Sequence, residues 1–139
     1  MKSIVIDTNV IYAGLRSNKG ASFRLLKLFG SKEFTLNISV PLIIEYEDVL
    51  HRSKFSYLSN EDIKEFINYI CKIALKHKIF FLWRPFLKDP KDDMILELAV
   101  VSNSDYIITY NLKDFNGINK FGIEAITPQK FLNILEANK

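Results

Sequence analysis

A chain of 139 residues, 48% hydrophobic and 25% charged, is the size of one ordinary domain and can bury a core, which excludes disordered, collagen-like and fibrous classes. A net charge of +3 from 19 basic and 16 acidic side chains does not identify a polyanionic partner on its own; it gains meaning only if acids gather in one place and leave the remaining surface more basic. The single Cys71 excludes an internal disulfide, and its setting in the apolar stretch FINYICKIAL predicts a buried thiol in a reducing, cytosolic compartment.

In chain order, KSIVID reads as a buried strand from its short β-branched run, which ends abruptly at Asp7, Thr8 and Asn9. That run is too short for a secretory signal, and no later segment has the apolar length of a membrane span. A short helix is expected over Val10–Leu15 and a loop over Arg16–Gly20, then a helix over Ala21–Phe29 that stops at Gly30. FTLNIS alternates Phe34, Leu36 and Ile38 with polar residues, as a strand does. Pro41 opens a helix to Arg52 with Leu42, Ile43, Tyr46, Val49 and Leu50 as its core stripe. Ser59 or Asn60 caps another helix to about His77, and Ile79–Trp83 is the next strand. DPKDD opens a helix to Ser102, and Tyr106–Thr109 is a buried strand followed by Tyr110 and Asn111. Glu124–Ile126 and a helix over Pro128–Leu135 close the chain.

Strands alternating with helices imply βα units, hence an α/β fold in three α/β/α layers around a mostly parallel sheet. Neither repeats nor linker-like tracts interrupt the sequence, so residues 1–139 are expected to form one domain. Ligands of such sheets bind beyond the C-terminal ends of the strands, which is where Asp7, Asn111 and Asp114 fall.

Capping of the following helix accounts for only one or two of the polar residues at positions 7–9, leaving Asp7 as a candidate metal-holding carboxylate. Glu45 and Glu47 border the apolar stripe of their helix on opposite sides, and periodicity alone does not choose between them. In DPKDDMILELAV, Asp89 fits an N-cap and Asp92 the acidic first turn, which leaves Asp93 without a capping role and Glu97 one turn further on the same face. Asn111 and Asp114 suit a turn, yet Asp114 lies at the same end of the sheet as Asp7 and Asp93. Such acids repel one another unless a divalent cation neutralises them, and an all-oxygen set without clustered Cys or His favours Mg²⁺ or Mn²⁺ over zinc. His51 and His77 have no ligand spacing and are expected at the surface.

DTNV after the first strand, an acid within LIIEYEDVL, DPKDD before an apolar helix and SDYIITYNLKDF together resemble a PIN domain over nearly the whole chain. DPKDD with NLKDF is most similar to the bacterial and archaeal group related to the VapC toxins of toxin–antitoxin systems. The resemblance implies a PIN-like fold and an acidic quartet of Asp7, Glu45, Asp93 and Asp114, with Asn9, Thr109 and Asn111 ordering the site. Many relatives have Asp where this chain has Asn111, so the fourth acidic role passes to Asp114.

It further implies a Mg²⁺- or Mn²⁺-dependent endoribonuclease that leaves a 5′-phosphate and a 3′-hydroxyl, an RNA substrate, an antitoxin partner and a homodimer or higher homo-oligomer, with no membrane partner. Basic residues such as Arg16, Lys19, Arg24 and Lys54 are available to guide the phosphate backbone, and Phe55, Tyr57 and Trp83 suit either an interface or the core. Two alternatives carry less weight: a PIN-like module that binds RNA or protein without catalysis, and an aspartyl-nucleophile phosphatase. The phosphatase of haloacid-dehalogenase type expects a second Asp two residues after the first, where this chain has Asn9.

Overall fold

A computed structural model describes residues 1–79 and 86–139. Among these, five strands, β1 (Lys2–Ile6), β2 (Phe34–Ile38), β3 (Leu75–Lys76), β4 (Tyr106–Ile108) and β5 (Glu124–Ile126), form a single parallel sheet in the order β3-β2-β1-β4-β5. The helices are α1 (Thr8–Arg16), α2 (Ala21–Lys27), α3 (Val40–Arg52), α4 (Asn60–Ile73), α5 (Pro90–Val101) and α6 (Pro128–Ala137).

Burial explains why the central strands read as uninterrupted apolar runs. Ile4, Val5 and Ile6 of β1 and Ile107 and Ile108 of β4 are each 0% exposed, because helices cover both faces of the sheet. The helix α5 packs across β1, β2 and β4, while α1 packs on α2 and α3, α2 on α6, and α3 on α4. Among the described residues, Tyr46 and Phe131 are the largest side chains buried completely.

The strand order sets the position of the site. From β1 the chain crosses to β2 on one side, and the later part of the chain returns to place β4 on the other, so the direction of winding reverses between β1 and β4. Beyond the C-terminal ends of two such strands the outgoing connections diverge and leave a crevice. Register pairs Ile6 with Ile108, which brings the residues after each strand, Asp7 and Thr109, side by side.

Several elements depart from their sequence-based boundaries. The first helix begins at Thr8 rather than Val10, since Thr8 and Asn9 take up its first turn. The helix α4 ends at Ile73, short of His77, because Leu75 and Lys76 leave it to pair with Asn37 and Ile38. The strand expected over Ile79–Trp83 lies outside the described residues except for Ile79, which is not in a strand. Two 3-10 turns, Leu112–Phe115 and Ile118–Phe121, follow β4, the second bracketed by Gly117 and Gly122, both at positive φ.

Cys71 is half-buried rather than buried, and His77 is half-buried rather than at the surface. His77 Nε2 lies 2.8 Å from Asn37 Oδ1. Asn37, an outward-facing polar position by the alternation of FTLNIS, is 1% exposed, because its face of the sheet is covered as well. Its Nδ2 donates to Ser3 Oγ at 2.6 Å, Ile4 O at 3.0 Å and Ser104 Oγ at 3.2 Å, tying β2 to β1 and to the turn before β4. Replacing Asn37 by Ala strands these acceptors in a covered site, and urea unfolding is expected to report a loss of about 1–3 kcal/mol; an unchanged midpoint would show that the network is not fully desolvated.

Candidate metal centre

Asp7 is the first residue beyond β1 and occupies the N-cap position of α1, yet its side chain makes no capping hydrogen bond. Its backbone N–H continues the ladder to Ile108 O at 2.9 Å, which fixes the residue against β4. The carboxylate, 8% exposed, instead accepts from Thr109 Oγ1 at 2.8 Å. Thr109 is fully buried and is itself held through its N–H to Ile126 O at 2.9 Å. Its Oγ1 also accepts from the N–H of Asn111 at 3.0 Å, so a single hydroxyl links Asp7 to the start of the turn that carries Asp114. From α1, the Asn9 side chain accepts from the N–H of Tyr110 at 3.4 Å, a second link between the two segments.

Glu45 comes from α3, whose start is set by Ser39 accepting from the N–H of Leu42. Leu42, Tyr46 and Leu50 face the core, which leaves Glu45 half-buried at the edge of that stripe and Glu47 exposed. Of the two glutamates, Glu45 is the one whose charge helps to raise the Asp7 pKa. Lys91 Nζ lies 3.6 Å from Glu45 Oε1. Next in the chain, the Tyr46 hydroxyl donates to Ile6 O, buttressing the last residue of β1 from the α3 side.

The start of α5 separates its acids by role. Asp89 caps the helix, accepting from the N–H of Lys91 at 2.9 Å. Asp93, expected from the sequence in the acidic quartet, is 3% exposed, and its Oδ1 accepts from the N–H groups of Leu87 at 2.8 Å and Phe86 at 3.3 Å. That oxygen therefore ties the start of the helix to the segment before it. Asp92, which the sequence fits to the acidic first turn without settling it against Asp93 as a site acid, feels the charges of Asp7 and Asp114. Burial first, then the charges of Asp7 and Asp114, push its pKa from 3.8 to about 7.

The same coupling is seen at Asp7. Burial raises its pKa, the bonds from Thr109 and the Thr8 N–H lower it, and Asp114 and Glu45 raise it again. Thus the charges of Asp114 and Glu45 act on Asp7, and those of Asp7, Asp114, Asp89 and Asp93 act on Asp92. Asp114 is exposed on its 3-10 turn, anchored by the buried Phe115. Glu97 lies one helical turn beyond Asp93 and is 4% exposed.

A cavity of about 490 Å³ adjoins Asp92 and Asp114 and is bordered by Lys88, Lys113 and Phe86. Among the described residues no three ligating side chains converge closely enough to form a closed metal cage. The donor chemistry nonetheless suits a hard cation: the carboxylates offer oxygen donors, burial first and neighbouring acids second raise the pKa values of Asp7 and Asp92, and Thr8 Oγ1, next to Asp7 in the chain, is buried without a hydrogen-bond partner.

A family model described as PIN domain matches residues 3–113. Solved structures with similar folds include VapBC2 from Rickettsia felis bound to a DNA fragment from their promoter, with TM-score 0.62 and 15% identity over 88% of this chain and 98% of that one. VapBC-1 from nontypeable Haemophilus influenzae matches with TM-score 0.63 and 18% identity over 91% of this chain and 98% of that one. No curated protein sequence matches the chain.

With a folded pKa near 7 against 3.8 unfolded, Asp92 holds its proton more tightly in the native state, so its contribution to stability is present at low pH and lost as pH rises from about 4 to 7. In a chelating buffer Asp92→Asn is expected to melt above the wild type at pH 8, with the difference shrinking towards pH 4. Equal melting temperatures at pH 8 would contradict the crowding of charge around this carboxylate.

Proposed function

The chain belongs to the PIN domain family, and on that premise we propose that it is a metal-dependent endoribonuclease acting as the toxin of a toxin–antitoxin pair. The observation that carries this reading is Asp7, held by Thr109 at the crevice where the winding of the sheet reverses, with the charges of Asp114 and Glu45 acting on it and its own charge acting on Asp92. Carboxylates whose charges act on one another are costly in the absence of a cation, and family members are typically nucleases.

Asp7, Glu45, Asp92 and Asp114 would hold Mg²⁺ or Mn²⁺. Bound there, the ion supplies positive charge for the phosphodiester and its departing oxygen, together with a polarised water. The work of the chain's own residues is positional. Thr109 keeps the Asp7 carboxylate turned towards the crevice and away from the cap of α1. Asn9 and Asn111 hold the segment after β4 against α1 and Thr109. Asp93 fastens Phe86 and Leu87, which wall the cavity next to Asp92. Lys88 and Lys113 on the rim of that cavity are suited to a phosphate of the chain being cut. The products are a 5′-phosphate and a 3′-hydroxyl.

Kinship with VapC proteins extends the proposal to partners: an antitoxin that occupies the acidic crevice, and self-association of the chain. The solved neighbours are VapBC assemblies, which supports the first of these. No described helix is long and apolar enough to cross a membrane.

The test is cleavage of single-stranded RNA with Mg²⁺ or Mn²⁺ against a chelator control. Asp7→Asn and Asp114→Asn are expected to lower the rate more than about 100-fold, and Thr109→Val, which removes only the orienting hydroxyl, about 10- to 100-fold. Cleavage by Asp7→Asn at the wild-type rate, or cleavage undiminished by chelator, would overturn the reading.

A further inference from the structure

An acidic crevice repels the polyanion it is proposed to cut, so affinity for RNA has to come from elsewhere on the surface. At the far end of α1 lies a cavity of about 640 Å³ lined by Arg16, Ser17, Asn18, Lys19, Phe23 and Tyr57. Two cations, two neutral polar residues and two aromatic rings make up this lining, and no acid does. The cavity beside Asp92, by contrast, mixes two lysines with three aspartates.

The parts of this cavity are ordered. Arg16 ends α1, Ser17 follows with its N–H on Ala13 O, and Ser17 Oγ accepts from the N–H of Lys19 at 3.3 Å. Tyr57 is 59% exposed, yet its ring rests edge-on against Phe55 at 6.5 Å between centroids, and Phe55 in turn packs on Tyr12 of α1 at 5.7 Å. A large aromatic ring held from behind and open in front is a stacking platform. Phe23 supplies a wall, with Lys27 Nζ 5.7 Å from its ring centroid adding a third cation nearby. No ion pair engages Arg16 or Lys19 among the described residues, whereas Arg24 donates to Gln129 at 2.7 Å.

We propose that this cavity is an RNA-binding subsite separate from the acidic crevice, in which a base of single-stranded RNA stacks on Tyr57 while Arg16 and Lys19 contact the phosphates beside it. The inference rests on the nuclease reading for its choice of ligand, although it concerns a different surface. Nine steps of 1.5 Å put Arg16 about 13.5 Å along α1 from Asp7, a distance that a short single-stranded segment can span to reach the crevice and the subsite together. Stacking tolerates any base, so the subsite contributes affinity with little sequence preference.

The experiment measures binding of a fluorescently labelled single-stranded RNA to the full chain in chelator, by anisotropy over a range of salt, with RNA cleavage in Mg²⁺ as a second readout. Tyr57→Ala is expected to weaken binding about tenfold and Tyr57→Phe to restore it, since the ring does the stacking. Arg16→Gln with Lys19→Gln is expected to reduce the slope of log affinity against log salt by about 1.4, or 0.7 for each lost phosphate contact, and to raise KM more than it lowers kcat. Melting curves confirm that each variant is folded, and Lys19→Gln alone, at an exposed loop position, is expected to remove half of the slope change. RNA affinity and salt slope unchanged in the folded variants would overturn the proposal, as would loss of a protein partner with RNA binding intact. Binding that depends on this cavity in a protein that cleaves no RNA would sustain the subsite and overturn the nuclease reading instead.

Discussion

The pairing of β1 with β4 is the constraint on which the site depends. It aligns Ile6 with Ile108 and continues one step past the strands through the Asp7 N–H to Ile108 O, so Asp7 and Thr109 meet where the connections on either side of the sheet part. Thr109 then joins its hydroxyl to the Asp7 carboxylate, a hydrogen bond strengthened by the negative charge of its acceptor. From that bond the remaining geometry follows. Asn111 is held to the same hydroxyl and begins the turn of Asp114, while Tyr46 and Glu45 reach the end of β1 from α3.

Charge is distributed unevenly over the molecule. Carboxylates from the end of β1, from α3, from α5 and from the turn after β4 lie towards the C-terminal ends of the central strands, and burial with repulsion carries Asp92 to a pKa of about 7. The net charge is nonetheless +3, so the rest of the surface is more basic than the average suggests. Arg16 and Lys19 share a cavity free of acids, and Lys88 and Lys113 stand at the rim of the crevice. A crevice that attracts divalent cations, flanked by cations that attract phosphate, is an arrangement suited to a polyanionic substrate.

Much of this architecture was legible in the sequence because the physical signals were local. Uninterrupted β-branched runs mark β1 and β4 as buried, Ser39 and Asp89 start their helices, and polar residues that a cap does not need point to the crevice. What escaped depends on contacts distant in sequence. Asn37 follows a half-exposed alternation and is buried all the same, because both faces of the sheet are covered. The end of α4 is decided by pairing of Leu75 and Lys76 with β2, a partner some forty residues earlier. Asp92 and Asp93 are adjacent acids in a first helical turn, and only the fold shows that Asp93 Oδ1 accepts from the Phe86 and Leu87 amides while the charges of Asp7 and Asp114 act on Asp92.

That separation of two neighbouring aspartates bears most directly on the account. The decisive measurement is Mn²⁺ binding by calorimetry at pH 8 to the wild type, Asp92→Asn and Asp93→Asn. The Asp93→Asn amide oxygen still accepts from Phe86 and Leu87, so that variant is expected to bind the ion close to wild-type affinity, whereas Asp92→Asn loses at least about tenfold. Retention of Mn²⁺ by Asp92→Asn with its loss in Asp93→Asn would contradict the assignment, and absence of binding in the wild type would contradict the metal centre itself.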